Sequence, residues 1–147
     1  MNEDIFHLGI KAIIRNQKGE ILLLKVNKET LKGYSGDAYW DIPGGRIHKG
    51  SSIEETLKRE VEEETGIRNI KSIKPFSMVL SNIRIPTSEN GTVGLILSSY
   101  ICEIEETIQI TLSEEHTEDN WFLPEEASKL LEFKYPKEFT EAIKNFR

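Results

Sequence analysis

Glu60, Glu63 and Glu64 stand at positions i, i+3 and i+4, with Arg59 directly before the first of them. On a helix such residues are neighbours, and like charges at this spacing repel. A hard divalent cation, Mg2+ or Mn2+, relieves the repulsion because carboxylate oxygens are its natural ligands. Mg2+ also keeps open positions for water and for phosphate oxygens. Charge neutralisation, a polarised phosphorus and an activated water are what cutting a diphosphate linkage requires.

These residues must be presented by an element, and the sequence around them describes a helix. Ser52 and Glu55 form a capping-box pattern at its start, and Gly66 suits its end. At about 100° per residue, Ile53, Leu57 and Val61 fall within roughly 80° of one another and make a core-facing stripe. On that projection Glu60 lies about 20° to one side of Ile53, and Glu64 lies about 20° to the other, inside the stripe. Glu63 borders it, whereas Glu55, Lys58 and Glu62 point away. A carboxylate turned toward a core costs several kcal/mol unless it is paired or binds a cation. The plainer reading is a solvated acidic face, with Arg59 paired to Glu55 or Glu63 and Lys58 paired to Glu54 or Glu62. That reading leaves Glu64, beside Leu57 and Val61, unexplained.

The remaining elements follow from pattern. Phe6 to Ile14 and Ile21 to Val26 read as strands joined by a turn at Asn16-Gln17-Lys18-Gly19. A polar loop, Asn27 to Tyr39, leads to a short extended piece, Trp40-Asp41-Ile42-Pro43-Gly44-Gly45, broken by its Pro and Gly residues. Lys71 to Ser81 and Thr92 to Glu103 read as strands around a loop near Pro86 to Gly91. Ser113 to Asn120 reads as a polar loop and Trp121 to Leu123 as a brief strand. Pro124 suits the first position of a short helix. A last helix is expected from Pro136, with Phe139, Ala142, Ile143 and Phe146 on its apolar face. Strands mixed with three helices predict an α/β or α+β sandwich.

The chain has 147 residues, 37% hydrophobic and 30% charged, which fits one globular domain spanning 1–147. No apolar run approaches the ~18 residues that span a bilayer, so no membrane segment is expected. The acidic start and the single cysteine, Cys102, predict a reducing, cytoplasmic setting. Cys102 itself reads as a small buried hydrophobe. A net charge of −6 argues against duplex nucleic acid as a partner. It leaves room for a small anionic substrate, because a metal inverts the local field.

Gly45, Arg59-Glu60-Val61, Glu63-Glu64 and Gly66-Ile67 together resemble the Nudix box, G-x5-E-x7-R-E-U-x-E-E-x-G-U, where U is a bulky aliphatic residue. The spacing agrees over all 23 positions, Gly45 to Ile67, and Trp40 to Gly45 is similar to the W-x-x-P-G-G lead-in common in that family. The resemblance implies a Nudix-type α/β/α sandwich with a mixed sheet. It implies Mg2+ (or Mn2+) held by Gly45, Glu60, Glu63 and Glu64, with Glu60 or a nearby carboxylate activating water. Arg59 would orient the carboxylates, and Gly44 and Gly45 would admit phosphates to the backbone. A further carboxylate often precedes a Trp-bearing strand in this family, and Glu115 is best placed for it. The implied substrate is a small nucleotide-like diphosphate, either a nucleoside triphosphate or a nucleoside diphosphate linked to another moiety. A homodimer is a common family arrangement. One box position departs: Ser51 stands where the family has its first Glu. That bears on metal number and rate, and it leaves a nucleotide-binding domain without hydrolysis as the alternative.

Other residues carry lesser readings. His116 has the chemistry of an acid or base near neutral pH. Arg84 and Lys11 have the reach to touch a phosphate or a carboxylate. Trp40 and Trp121 read as core rather than as base-stacking surfaces. An isoprenoid-diphosphate isomerase reading would need a catalytic cysteine and extra His ligands, and only Cys102 is on offer.

Overall fold

A computed structural model of the chain describes residues 2–146. Strand β1 (Phe6–Arg15) and strand β2 (Ile21–Val26) meet at Arg15 and Ile21 and then diverge. Their turn is held by Asn16, whose side-chain oxygen accepts the Lys18 and Glu20 N–H groups at 3.0 and 2.9 Å. β2 pairs antiparallel with β3 (Trp40–Asp41) and with β8 (His116–Phe122). The start of β1 pairs antiparallel with β4 (Gly44–Arg46) and, on its other side, parallel with β7 (Thr92–Glu103). β7 also pairs antiparallel with β5 (Ser72–Leu80) and the short β6 (Ile85–Pro86). The result is a mixed sheet whose centre splits where β1 and β2 part and β4 fills the gap.

Alternation along β1 and β2 gives the sheet two apolar faces. Ile10, Ala12, Ile14, Leu22 and Leu24 pack with Leu57 and Val61 of helix α1 (Ile53–Thr65). On the opposite face, Ile13, Ile21 and Leu23 pack with Ala127 of α2 (Pro124–Leu130) and with Phe139 and Ile143 of α3 (Lys137–Lys144). Helix, sheet and helices form the expected three layers. The capping box of Ser52 and Glu55 is present, and Gly66 ends α1 in the left-handed region. No helix among the described residues is long and apolar enough to cross a membrane.

Three expectations need correction. Most of the anticipated Ser113–Asn120 loop is strand β8. Its residues are largely exposed, so it has no apolar alternation to read; backbone pairing with β2 makes it a strand. Ile53 is 41% exposed, and Thr56 occupies the buried position of that first helical turn instead. Ala142 is likewise exposed, and Thr140 joins Phe139 and Ile143 on the buried face of α3. Trp40 and Trp121 do pack against the core, Trp40 edge-on to Phe122 at 5.3 Å. Cys102 is fully buried, and that burial pushes its thiol up to about 12.

Gly44 is where the fold is least tolerant of a side chain. It sits at φ +150°, opposite Lys11, and an added Cβ would lie 2.1 Å from the Ile10 carbonyl oxygen. Gly44→Ala is expected to lower stability by at least about 2 kcal/mol, from overpacking against backbone and an unfavourable φ. Urea unfolding checks this; an unchanged midpoint would show that β4 shifts freely.

Candidate functional site

α1 places its carboxylates by the same periodicity that buries its apolar stripe. Leu57 and Val61 are closed to solvent, and Glu64, one turn on, is only 4% exposed. Its Oε1 accepts the Gly44 N–H at 2.8 Å, which ties α1 to β4. Glu60, one turn earlier, lies over Gly45. A Cβ on Gly45 would come within 2.5 Å of the Glu60 carboxylate, so the missing side chain is the space the carboxylate occupies. The Arg59 guanidinium donates to Glu60 Oε1 at 3.4 Å. Glu63 is exposed at the flank of this row.

β8 supplies the opposite wall. The Asn27 N–H donates to the Glu115 carbonyl at 2.8 Å, and Val26 registers with His116. This brings Glu115 and His116 to Glu64, with one ligand atom from each lying within 4.8 Å of the others. Burial raises the Glu64 carboxyl to about 8; Lys11 and the Gly44 N–H oppose the rise, while Glu60 and Glu115 add to it. Burial, with Lys11 and Lys134 nearby, lowers His116 to about 4, so its imidazole is neutral at physiological pH. Its Nδ1 is buried and has no hydrogen-bond partner.

The cleft between these walls has a volume of about 390 Å3 and is lined by Gly44, Gly45, Glu64, Glu115 and His116, and also by Lys11 and Lys134. A broader depression of about 650 Å3 lies at the far end of α1, between Gly66 and Ile108, and contains none of the carboxylates named above. The floor of the cleft holds a buried ionic cluster. Asp41 Oδ2 accepts Lys11 Nζ at 3.2 Å and Lys134 Nζ at 2.6 Å. Asp41 Oδ1 accepts the Tyr135 hydroxyl at 2.6 Å and the Ile42 N–H at 2.8 Å.

The expected site residues are thus unequally placed. Glu60, Glu64, Glu115, Gly44 and Gly45 are brought together, and Lys11 and His116 join them. Arg84 does not line the cleft. Its guanidinium is committed to Asp4 at 2.7 and 3.0 Å and to Thr92, because the loop before β6 folds back onto the start of the chain. Asp41, Lys134 and Tyr135 carry no sequence signal of a site. Their one legible hint is a lone carboxylate inside the apolar segment Trp40-Asp41-Ile42.

The donors fit a divalent cation. Carboxylate oxygens from Glu64 and Glu115 are hard ligands, and neutral His116 adds a nitrogen that Mn2+ also accepts. Glycine at 45 leaves Glu60 the room to lie there.

Such an acidic helix, laid over a Gly-Gly strand at the split of a mixed sheet, places the chain among α/β/α sandwich proteins with an acidic cleft. The NUDIX domain matches residues 5–143, and the chain belongs to the Nudix family. The nucleoside triphosphatase NudI of an Enterobacter species is 32% identical over 95 residues, covering 62% of this chain and 66% of that protein. An 8-oxo-dGTP diphosphatase from Haemophilus influenzae is 42% identical over 56 residues, 38% of each chain. This chain therefore spans less than two thirds of either relative. The crystal structure of a MutT protein from Methanosarcina mazei superimposes with a TM-score of 0.72 at 27% identity, covering 99% of this chain and 96% of that one.

Proposed function

We propose that this protein hydrolyses a diphosphate linkage, in a nucleoside triphosphate or in a nucleoside diphosphate joined to another moiety, with Mg2+ or Mn2+ as cofactor. The observation that carries this reading is Glu64. It is a nearly closed-off carboxylate, hydrogen-bonded to the Gly44 N–H and grouped with Glu115 and His116. A bound divalent cation supplies charge neutralisation at the phosphate oxygens and a more acidic water. Glu60, Glu64, Glu115 and the Gly45 carbonyl would hold it, with Glu63 at the exposed flank of the same helix. Arg59 steadies Glu60. Glu60 or Glu115 accepts the proton from the attacking water, and Gly44 and Gly45 let the phosphates approach the backbone. The names of the triphosphatase and diphosphatase relatives support the same reaction class.

The test is release of phosphate and pyrophosphate from nucleoside triphosphates, nucleotide sugars and dinucleoside polyphosphates, with Mg2+, Mn2+ or EDTA. At least one compound is expected to turn over at roughly 1 s−1 or faster, and EDTA is expected to stop it. Nucleotide binding without release under any metal would overturn hydrolysis and leave a binding domain, with Ser51 as its mark.

A further inference from the structure

The cleft carries both signs of charge. Glu64 and Glu115 supply its acidic lining. Close to them two ammonium groups share one carboxylate oxygen, and all three side chains are nearly closed to solvent: Lys11 7%, Lys134 12% and Asp41 5% exposed. Asp41 has no further capacity nearby, since its other oxygen already accepts Tyr135 and Ile42. Each ammonium has three N–H donors. Among the described residues, the hydrogen bonds of both Nζ atoms go to Asp41 alone. Both lysines line the cleft, so a ligand there can supply the acceptors.

The surroundings narrow the ligand's chemistry. The same cleft is also lined by Leu31, Tyr39, Ile83 and Ile85. Apolar walls suit a flat ring better than a phosphate, and the acidic, cation-binding lining takes the phosphates. The part of a nucleotide that fits is the base, turned so that an acceptor edge meets the ammonium groups. A 6-oxopurine presents O6 and N7 there, and a 4-oxopyrimidine presents O4. Adenine and cytosine place an amino donor at the same position, facing the lysine donors.

Resting on the nucleotide-hydrolase reading above, we propose that Lys11 and Lys134, held by Asp41, select nucleotides whose base carries a carbonyl rather than an amino group at that edge. Inosine, guanosine, uridine and thymidine nucleotides are then favoured over adenosine and cytidine nucleotides.

ITP and ATP test this directly, because the carbonyl of one replaces the amino group of the other. Wild type is expected to prefer ITP by about 10- to 100-fold in kcat/KM, the range set by one well-made base contact. UTP against CTP should show the same sense. Lys134→Met should bring the ITP/ATP ratio toward one, mainly through KM for ITP. A wild-type ratio near one, or a preference for ATP, overturns the proposal, and this needs no variant to fold. An equal loss for both nucleotides in a folded Lys134→Met protein also overturns it, because the lysine would then be serving the phosphates. Binding of ITP and ATP, measured calorimetrically with Ca2+, separates the two readings. If neither nucleotide is cut, hydrolysis fails, while the binding ratio still decides base selection.

Discussion

Glu64→Gln is expected to lower kcat by about 100-fold or more, the scale of a lost metal ligand in this chemistry, while the metal-free protein keeps its stability or gains some. Glutamine has the same shape, and its side-chain oxygen still accepts the Gly44 N–H that ties α1 to β4. What disappears is a carboxyl that can ionise to meet a cation. Burial raises the Glu64 carboxyl to about 8, with Glu60 and Glu115 adding to the rise against the pull of Lys11 and Gly44. A carboxylate kept where it disfavours its own charged form is suited to receive a cation, not to brace the fold. Wild type should therefore gain melting temperature with Mg2+ or Mn2+, by preferential binding to the folded state, and Glu64→Gln should lose most of that gain. A purely structural Glu64 gives the opposite pattern, with a lower metal-free melting temperature and an unchanged metal effect. Thermal melts with and without metal, beside initial rates, distinguish the two. Turnover within about 10-fold of wild type would remove Glu64 from the site.

This site was legible in the sequence to the extent that one helix encodes it. The 3.6-residue period that puts Leu57 and Val61 into the core also puts Glu64 there, and the capping box fixes the frame. Glu115 could be read from its place shortly before Trp121. The strand that delivers it could not, because β8 is a largely exposed strand whose pairing with β2 leaves no apolar pattern. Ile53 was misplaced for a related reason. Thr56 rather than Ile53 takes the buried position of the first turn of α1, and a threonine there gives no apolar signal. Arg84 shows a different limit. Its charge marks it as a phosphate binder, yet long-range folding gives it Asp4 first.

The ionic floor of the cleft was invisible because nothing periodic joins its parts. Asp41 ends a two-residue strand, Lys11 stands mid-strand in β1, and Lys134 and Tyr135 lie between α2 and α3. The three-layer packing alone brings them together. Lys11 reaches Asp41 because β4 displaces β2 from its side of β1, and Asp41 reaches Tyr135 because α2 and α3 cover that face. The cluster thus sits where the sheet splits, which is also where the cleft forms.

Asp41→Asn is expected to be the most destabilising of the conservative substitutions in this cleft, by about 3–5 kcal/mol, or a fall of roughly 10 °C in melting temperature. The variant keeps the side-chain shape but leaves Lys11 and Lys134 buried without a counter-charge. The pH dependence follows from the direction of the shift. Burial alone would raise the Asp41 carboxyl, but Lys11, Lys134 and the Tyr135 hydroxyl overcome it and hold it well below its ordinary 3.8. A carboxylate with a depressed folded value contributes fully above its unfolded value and loses that contribution as pH falls through the folded one. The gap between wild type and variant should therefore be widest near neutral pH and close below about pH 4. It should also narrow at alkaline pH. Burial already pulls Lys11 down, and without Asp41 its ammonium sheds its proton more readily. Urea unfolding of both proteins across pH measures the gap. A constant difference, or none at neutral pH, would mean that Asp41 is not the counter-ion of the pair. In that case the lysines would have to draw their balance from Glu64, whose carboxyl Lys11 already pulls down.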